Sequence, residues 1–385
     1  MKNVYITAIA AALPNDPVSN DDMEPVLGQA GDQPSRARRV ILKSNKIKTR
    51  YYAVDPKTGE RTHTNAELTA EAIRALGAPY AETLDCLVCG TSLPDQLMPN
   101  HAVMVHGELA NPPCEVVATA GVCLAGMSAL KYGWMSVATG QHQRVVSTGS
   151  EVASAVMRGK LFEPETNAAL DTLEKKPEVA FDKDFLRWML SDGAGAVALE
   201  PTPADQGLSL RIDWIDIRSF ANQLDACMYA GARKRDDGNL ESWKDLPHET
   251  WLRESIFAVK QDVRLLNDNI IATTIEQYLP DVMEKYGIGA DDIDWFLPHY
   301  SSGYFRERVY DGMKNGGMEI PFERWATNLP QKGNTGSASI YIMLEELYRS
   351  GKLEAGQKLL CWVPESGRFS SSFMLLTVCD GQDKP

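Results

Sequence analysis

The amino-acid sequence predicts an α/β layered fold composed of two halves that share one arrangement of elements. Helical and apolar strand-like segments alternate from end to end, which is typical of layered α/β proteins. The order of these segments occurs twice along the 385 residues. Equivalent positions lie at nearly constant separations: 209 residues for Gly90 and His299, 211 for Cys123 and Asn334, and 214 for Val145 and Leu359. These agreements favour a duplication, with residues 1–205 in one half and 206–385 in the other.

The first half begins with strand-like alternation in "VYITAIAAALP" and continues with the helix "AELTAEAIRALG". The strand "LDCLVCGTS" follows and ends at Gly90. The next helix opens at Cys123 and closes at Gly140, a residue type that is common directly after helix ends. The strands "RVVSTGSE" and "AGAVALEP" complete this half.

The second half repeats that order, with the helix "ATTIEQYLPDVMEKYG", the strand "IDWFLPHYSS" ending at His299, and a helix opening near Asn334. Its last strands are "KLLCWVPESG" and "FMLLTV". Two irregular stretches interrupt the layout, at about 151–190 and 218–248. We expect both to cap a site, although such stretches also occur as surface excursions.

The composition limits the classes of function. A net charge of −13 disfavours binding to nucleic acid, which the average field would repel. No apolar run approaches the roughly 20 residues of a membrane span, and the N-terminal run is too short and broken for a signal peptide. The basic stretches at 34–50 and 233–235 are candidates for docking an acidic carrier or a coenzyme phosphate, or else are solvated loops.

The seven cysteines are scattered along the chain and odd in number. In a large chain without a leader this favours reduced thiols, so we expect a cytoplasmic protein. Cys86 and Cys89 form a C-x-x-C pair, but their neighbours are apolar and no second pair follows at zinc spacing. Core packing is therefore favoured there over a redox or metal site.

Cys123 is the candidate nucleophile. It stands among small residues at the start of a helix in "ATAGVCLAGMSAL". A thiol has an ordinary pKa of about 8.5. The free N–H groups and the positive dipole end of a helix N-terminus favour the thiolate, so we expect a lowered pKa here. The alternative is an ordinary buried cysteine in a tight turn, and this stretch alone leaves both open.

His299 and Asn334 are the candidate partners of Cys123. If a pseudo-two-fold axis relates the halves, the strand ending at His299 and the two helix starts meet near that axis. An imidazole and a carboxamide at this point can hydrogen-bond the oxygen of a thioester or of its enolate. Taken alone, His299 also fits a satisfied core histidine, and Asn334 fits an N-cap residue.

At these residues the chain resembles the thiolase-fold condensing enzymes, most closely β-ketoacyl-acyl-carrier-protein synthase III and its relatives in specialised metabolism. "TAGVCLAG" is similar to the family's nucleophile motif, "DWFLPH" to its histidine motif, "GNTGSAS" to "GNTSAAS", and "SDGAGAVALE" to "GDGAGAVVL". The resemblance implies a thiolase-like fold in αβαβα layers, with Cys123, His299 and Asn334 catalytic. It also places Gly367, in "PESGRFSSSF", where a backbone N–H forms the oxyanion hole together with that of Cys123.

The chain also departs from the family pattern. "PHQAN" reads "PHYSS" here, and "GGGF" reads "SGRF", so that Arg368 stands where the family has glycine. These departures are more similar to the branch that makes specialised lipids or polyketides, such as dialkylresorcinol or cyclohexanedione ketosynthases, than to the enzyme that initiates fatty acids. Ser92 after Gly90-Thr91 is unlike relatives in hydroxymethylglutaryl synthesis, which have glutamate there.

The activity that the resemblance implies is a Claisen-type condensation. Cys123 takes an acyl group from one thioester, and the enolate of a malonyl-type or β-ketoacyl thioester attacks it. Coenzyme A or acyl carrier protein carries the substrates on phosphopantetheine, a homodimer is expected, and no metal or other cofactor is needed. Two alternatives remain. One is acyl transfer to an alcohol or amine, and the other is a non-catalytic partner subunit, although such subunits usually lack the cysteine or histidine.

Overall fold

The computed structural model describes residues 2–29, 38–161 and 186–381, and a nine-stranded mixed sheet forms its centre. The strands are β1 (Tyr5–Ala12), β2 (Val18–Ser19), β3 (Thr49–Arg50), β4 (Cys86–Thr91), β5 (Glu115–Ala120), β6 (Val145–Glu151), β7 (Gly193–Glu200), β8 (Ser209–Ser219), β9 (Met228–Tyr229), β10 (Ala232–Lys234), β11 (Leu240–Ser242), β12 (Lys260–Gln261), β13 (Trp295–Pro298), β14 (Lys358–Glu365) and β15 (Ser370–Cys379). The α-helices are α1 (Met23–Leu27), α2 (Arg38–Asn45), α3 (Asn65–Arg74), α4 (Ala78–Glu82), α5 (His101–Gly107), α6 (Leu124–Thr139), α7 (His248–Arg253), α8 (Val263–Ile271), α9 (Leu279–Tyr286), α10 (Arg306–Asn315), α11 (Leu329–Lys332) and α12 (Ser339–Arg349).

The order of the strands is the same on both sides of the contact between β1 and β8. Outward from this contact it is β1-β7-β6-β4-β5 on one side and β8-β15-β14-β13 on the other. The directions also match, since β4–β6 and β13–β14 are parallel whereas β6–β7 and β14–β15 are antiparallel. A duplicated βα unit gives this arrangement. The division of the chain between residues 205 and 206 stays a prediction. The same strand order on both sides of the contact between β1 and β8 supports it.

The helices form layers around and between the two parts of the sheet. α6 and α12 contribute to one apolar core that includes side chains of β1, β4, β8, β14 and β15. Most of α6 is buried, as expected of a helix with apolar residues on all sides. A second core lies under α8, α9 and α10, and a third under α3 and α5. The predicted α/β fold with alternating layers of helix and sheet is therefore confirmed.

Close backbone contacts fix the position of α6. A Cβ atom on Gly126 would lie 2.3 Å from the carbonyl oxygen of Ser337, and one on Gly149 of β6 would lie 2.2 Å from the same oxygen. Only glycine leaves room for this approach. The start of α6 is thereby held against the loop that precedes α12.

Some elements differ from the sequence prediction. The helix expected over residues 272–287 is α8 continuing through a single π turn, Ala272–Glu276, before α9. Pro280 stands in the first turn of α9, where its missing N–H leaves no helical hydrogen bond unmade. The stretch predicted at 151–190 lies mostly outside the described residues. In the whole described part of the chain, no helix is long and apolar enough to cross a membrane.

Candidate active site

A cavity of about 690 Å³ opens beside the N-terminus of α6. Residues from both halves of the chain line it, including Cys123, Asn334 and Gly367. The irregular stretch predicted at 218–248 supplies one wall through Asp225, Met228 and neighbouring residues, so its expected position over a site is confirmed. Most of the other lining side chains are small or apolar, and the cavity size falls in the range of small-molecule sites.

Cys123 is the residue directly before α6 and is 8% exposed. The turn that leads to it requires glycine at position 121, where φ is +154°. The expectation of a lowered thiol pKa is wrong in this structure. Burial raises the pKa of Cys123, and the carboxylates of Glu365 and Glu151 raise it further. Both desolvation and a nearby negative charge disfavour the thiolate.

Glu365, the last residue of β14, was not singled out from the sequence. One of its carboxylate oxygens, Oε2, accepts the backbone N–H of Val122 at 3.0 Å, and its side chain lines the cavity. Burial raises the pKa of Glu365, while hydrogen bonds from the N–H groups of Val122 and Leu124 oppose this shift. A carboxylate therefore accepts hydrogen bonds from N–H groups at the start of α6, next to the nucleophile.

Glu151, the last residue of β6, is a second carboxylate of the cavity and is buried. Its Oε1 atom accepts the backbone N–H and hydroxyl of Ser92 and those of Ser337. Oε2 has no hydrogen-bond partner among the residues that the structure describes. Burial raises the pKa of Glu151. Glu151 thus joins the ends of β4 and β6 to the loop that carries Asn334.

His299 follows β13, and its backbone N–H donates to the Trp362 carbonyl at 2.8 Å. Burial lowers the pKa of the His299 imidazole to about 4, so the ring is neutral at physiological pH. His299 lines a second space of about 30 Å³, which Cys123 also lines, rather than the large cavity. Of the three residues that we expected to meet, Cys123 therefore lines both cavities, whereas Asn334 lines the large one and His299 the small one.

Asn334 is buried, and the expectation that a helix opens there is wrong. Its backbone N–H donates to the Met189 carbonyl at 2.9 Å, and its side-chain Oδ1 accepts the N–H of Gly336 at 3.0 Å. A short 3₁₀ turn then precedes α12, which starts at Ser339. Gly336 has φ +53°, outside the helical region, and this delays the helix. Asn334 is accordingly not the N-cap of α12.

Gly367 lies in the turn that joins β14 to β15. Its carbonyl oxygen accepts the backbone N–H of Cys227 at 2.8 Å, which fixes the turn against the 218–248 stretch. The next residue, Arg368, also lines the cavity and donates through Nε to the Leu224 carbonyl at 2.9 Å. The role of the Cys123 and Gly367 N–H groups as an oxyanion hole stays a prediction.

Three of the basic residues considered as docking candidates are held within the fold. Arg50 is buried and donates to the backbone carbonyl of Trp188. Arg233 and Lys234 form ion pairs with nearby carboxylates. Arg50 and Lys234 are therefore not solvated loop cations, whereas the side chain of Arg233 is 42% exposed and stays a docking candidate.

Cys86 and Cys89 are fully buried on β4, which confirms their predicted role in packing. The Cys86 thiol also lies within 4.8 Å of potential ligand atoms of Glu115 and His142. Thiolate, carboxylate and imidazole all bind transition metals. The expectation of no metal thus stays a prediction at this position.

Comparisons with known proteins agree with this architecture. Residues 283–374 match the family described as 3-oxoacyl-[acyl-carrier-protein (ACP)] synthase III C terminal. β-Ketoacyl-[acyl-carrier-protein] synthase III of Xanthomonas oryzae pv. oryzae is 25% identical over 363 residues, which are 93% of this chain and 94% of the relative. The enzyme of the same name from Allorhizobium ampelinum is 26% identical over 361 residues, with 92% and 93% covered. The chain is thus similar to β-ketoacyl-[acyl-carrier-protein] synthase III over nearly its whole length.

Solved structures of several similar proteins show the same fold as this chain. AbyA1, a tetronic acid condensing enzyme, matches with a TM-score of 0.73 at 20% identity, over 97% of this chain and 99% of its own. OleA of Xanthomonas campestris, solved with bound lauric acid and lauroyl-CoA, matches with a TM-score of 0.71 at 18% identity over the same shares.

Proposed function

We propose that the chain is a condensing acyltransferase that joins a Cys123-bound acyl group to a second thioester through a new carbon–carbon bond. The observation that carries this proposal is the position of Cys123, which lines both the large cavity and the small one. Asn334 and Gly367 lie on the first cavity and His299 on the second. Because Cys123 adjoins both cavities, we infer that donors from the two cavities act together at the reacting carbon, where two successive oxyanions form.

In the first half of the reaction, the Cys123 sulfur attacks the carbonyl carbon of an acyl thioester. The N–H groups of Cys123 and Gly367 hold the resulting oxyanion, and the carrier thiol leaves. In the second half, the thioester carbonyl of the other substrate binds between His299 and Asn334. The enolate, formed by loss of CO₂ from a malonyl-type thioester or by proton removal from a β-ketoacyl thioester, attacks the acyl-cysteine.

The protonation state of His299 supports this role. Because burial lowers its pKa to about 4, the imidazole is neutral and carries one N–H for an enolate oxygen. Asn334 supplies a carboxamide whose Oδ1 is already engaged by Gly336, which leaves its NH₂ group to donate. Two fixed neutral donors stabilise a developing oxyanion without adding a titrating group.

The substrates are proposed to be acyl thioesters of coenzyme A or of acyl carrier protein, with no further cofactor. The names of the curated relatives and the lauroyl-CoA bound to OleA support these carriers. Apolar side chains of the cavity wall, among them Leu93, Leu190 and Val259, fit an acyl chain. Similarity in fold to AbyA1 supports a product of specialised lipid or polyketide metabolism.

We also propose that the enzyme is a homodimer. β5 is the edge strand of the central sheet, and its side chains are exposed or half-buried whereas those of the neighbouring β4 are all buried. An unpaired edge strand of this length is a template for pairing with a second copy. Light scattering should therefore give a mass near twice that of one chain, and a monomer across the working concentrations would contradict this part of the proposal.

The test of the activity is a product analysis with an acyl-CoA and either a malonyl or a β-ketoacyl thioester. The expected product retains the carbon atoms of both acyl groups, less CO₂ when the malonyl thioester is used. Cys123→Ala should form none of it. Recovery of an acyl ester or amide, with the second thioester intact, would instead establish simple acyl transfer. Absence of any product with either carrier would reject catalysis and favour the partner-subunit alternative.

A further inference from the structure

Glu365 lies directly over the turn that carries the nucleophile. Besides accepting the Val122 N–H, Oε2 is so close to Gly121 that a Cβ atom there would lie 2.9 Å from it. Oε1 faces Gly367, where a Cβ atom would lie 3.1 Å away. The carboxylate therefore fills the space between the turn at Gly121 and the turn at Gly367.

This placement changes the usual electrostatics of a cysteine at a helix start. Free N–H groups there favour a thiolate. At the start of α6, however, the Glu365 carboxylate already accepts hydrogen bonds from such groups. The other groups that face Cys123 do not compensate. Glu151 is also acidic, His299 is neutral, and no contribution of the Arg368 guanidinium offsets the raised pKa of the Cys123 thiol. Cys123 therefore rests as a thiol, and acylation requires a base.

Resting on the proposed function, we propose that Glu365 is this base and accepts the Cys123 proton during acylation. As sulfur attacks the thioester carbonyl, the Sγ–H proton passes to a carboxylate oxygen of Glu365. When the tetrahedral intermediate collapses, the bond between the acyl carbon and the carrier sulfur breaks. Glu365 then returns the proton to the departing thiolate, which leaves as the free thiol.

The other two candidate bases fit this role less well. His299 is buried with a pKa of about 4, so its ring accepts a proton poorly at neutral pH. Glu151 keeps Oε2 without a hydrogen-bond partner among the described residues, but its charge acts on the Cys123 thiol less strongly than that of Glu365. Burial raises the pKa of Glu365, which makes that carboxylate a stronger base than an exposed one.

The test measures alkylation of Cys123 by iodoacetamide as a function of pH, in the absence of any thioester. If thiol and carboxylate share one proton, the thiolate fraction is constant between the two macroscopic pKa values of the pair. The wild-type rate is then nearly independent of pH between about 7 and 8. In Glu365→Gln the rate rises about tenfold per pH unit over that interval, because only solvent removes the proton.

A second readout separates the base from a structural role. Glu365→Gln should slow single-turnover acylation by acyl-CoA by about 10²–10⁴-fold, while its alkylation at pH 8 exceeds that of the wild type. Loss of structure would lower both rates together. Asp213→Asn, which removes a carboxylate that pairs with Arg211 and does not line the cavity, should keep the wild-type plateau and serves as the control.

A tenfold rise per pH unit in the wild type, parallel to Glu365→Gln, would overturn the proposal. Unchanged acylation in Glu365→Gln would overturn it as well. If this variant does not fold, the wild-type profile still tests the proposal, because a tenfold rise per pH unit would exclude a shared proton. A plateau in the wild type together with the rise in Glu365→Gln, but without acylation by any thioester, would refute the proposed function and leave the shared proton established.

Discussion

Asn334 is the residue whose contribution to the two half-reactions differs most. Its carboxamide is proposed to contact the enolate oxygen of the second substrate and not the acyl-enzyme. Asn334→Ala should therefore load Cys123 at a rate within a few-fold of the wild type, as measured by rapid quench and mass spectrometry. Condensation should fall by about 10²–10³-fold, the usual cost of losing one oxyanion donor.

Asn328→Ala is a suitable control for this prediction, because Asn328 donates to Glu346 and does not line the large cavity. It should leave both half-reactions unchanged. Equal losses of acylation and condensation in Asn334→Ala would show that Asn334 supports the site as a whole. The enolate role would then be contradicted.

At the scale of residues, the sequence predicts Cys123, His299 and Asn334 but misses Glu365 and Glu151. The first three stand in motifs where small residues or a strand end mark a special position. The two glutamates each end an apolar strand, in "VVSTGSE" and "VPES", where a polar residue usually marks the return to solvent. Only the three-dimensional structure shows that Glu151 is buried, that Glu365 is half-buried, and that both line the cavity beside the start of α6.

At the scale of elements, the contact between α6 and the loop before α12 is the feature most sensitive to volume. Gly126→Ala would place a methyl group 2.3 Å from the Ser337 carbonyl oxygen. This distance is too short, so the backbone of α6 or of the loop at Ser337 must move. We expect a loss of roughly 1–3 kcal/mol in the free energy of unfolding, as for other overpacked cores. Chemical denaturation measures this loss.

The matched control is Gly107→Ala at the end of α5, where a new Cβ meets no atom within 4 Å. This variant should be neutral or more stable by up to about 1 kcal/mol, since alanine is the better helix former. If Gly126→Ala is as stable as Gly107→Ala, the close approach of α6 to Ser337 is not a constraint on the fold.

The boundaries of the elements show where the sequence is insufficient. The strands β4, β6, β7, β14 and β15 form where apolar runs predict them, because their burial on both faces produces an uninterrupted pattern. The start of α12 is predicted five residues early, at Asn334. Hydrogen bonds to Met189 and Ser191, distant in sequence, hold Asn334 in an extended loop, and no local pattern encodes them.

At the scale of the whole molecule, the free energy of unfolding should depend on the protonation of His101. Burial lowers its pKa to about 4 in the folded protein, whereas an unfolded chain has a value of about 6.5. As the pH falls below about 6.5, the unfolded state binds this proton first, so stability decreases until about pH 4. Buried carboxylates with raised pKa values change the stability in the opposite direction. Comparing the wild type with a variant that lacks His101 separates the contribution of His101 from that of the carboxylates.

His101→Gln is that variant. The stability of the wild type minus that of His101→Gln should fall by roughly 2–4 kcal/mol between pH 7 and pH 4, measured by denaturant titration at each pH. A difference that does not change with pH would mean that His101 is protonated equally in both states. Burial of a neutral imidazole would then be contradicted.

The repeat of one arrangement in two halves is the whole-molecule property that the sequence predicts best. Three nearly equal separations between matched positions suffice to expect two similar halves, and the strands are arranged in the same order on either side of β1 and β8. The pKa of Cys123 is the property that the sequence predicts worst. It depends on carboxylates contributed by β6 and by β14, which come together only in the folded chain.

The most direct test of the central claim is intact-protein mass spectrometry after exposure to acyl-CoA thioesters and to the corresponding acyl carrier protein thioesters. The wild type should gain the mass of one acyl group, and Cys123→Ala should gain none. Cys114→Ala, which removes the half-buried thiol away from the cavity, should load like the wild type. Equal loading of Cys123→Ala, or no loading of the wild type by either kind of thioester, would contradict Cys123 as the acylated nucleophile.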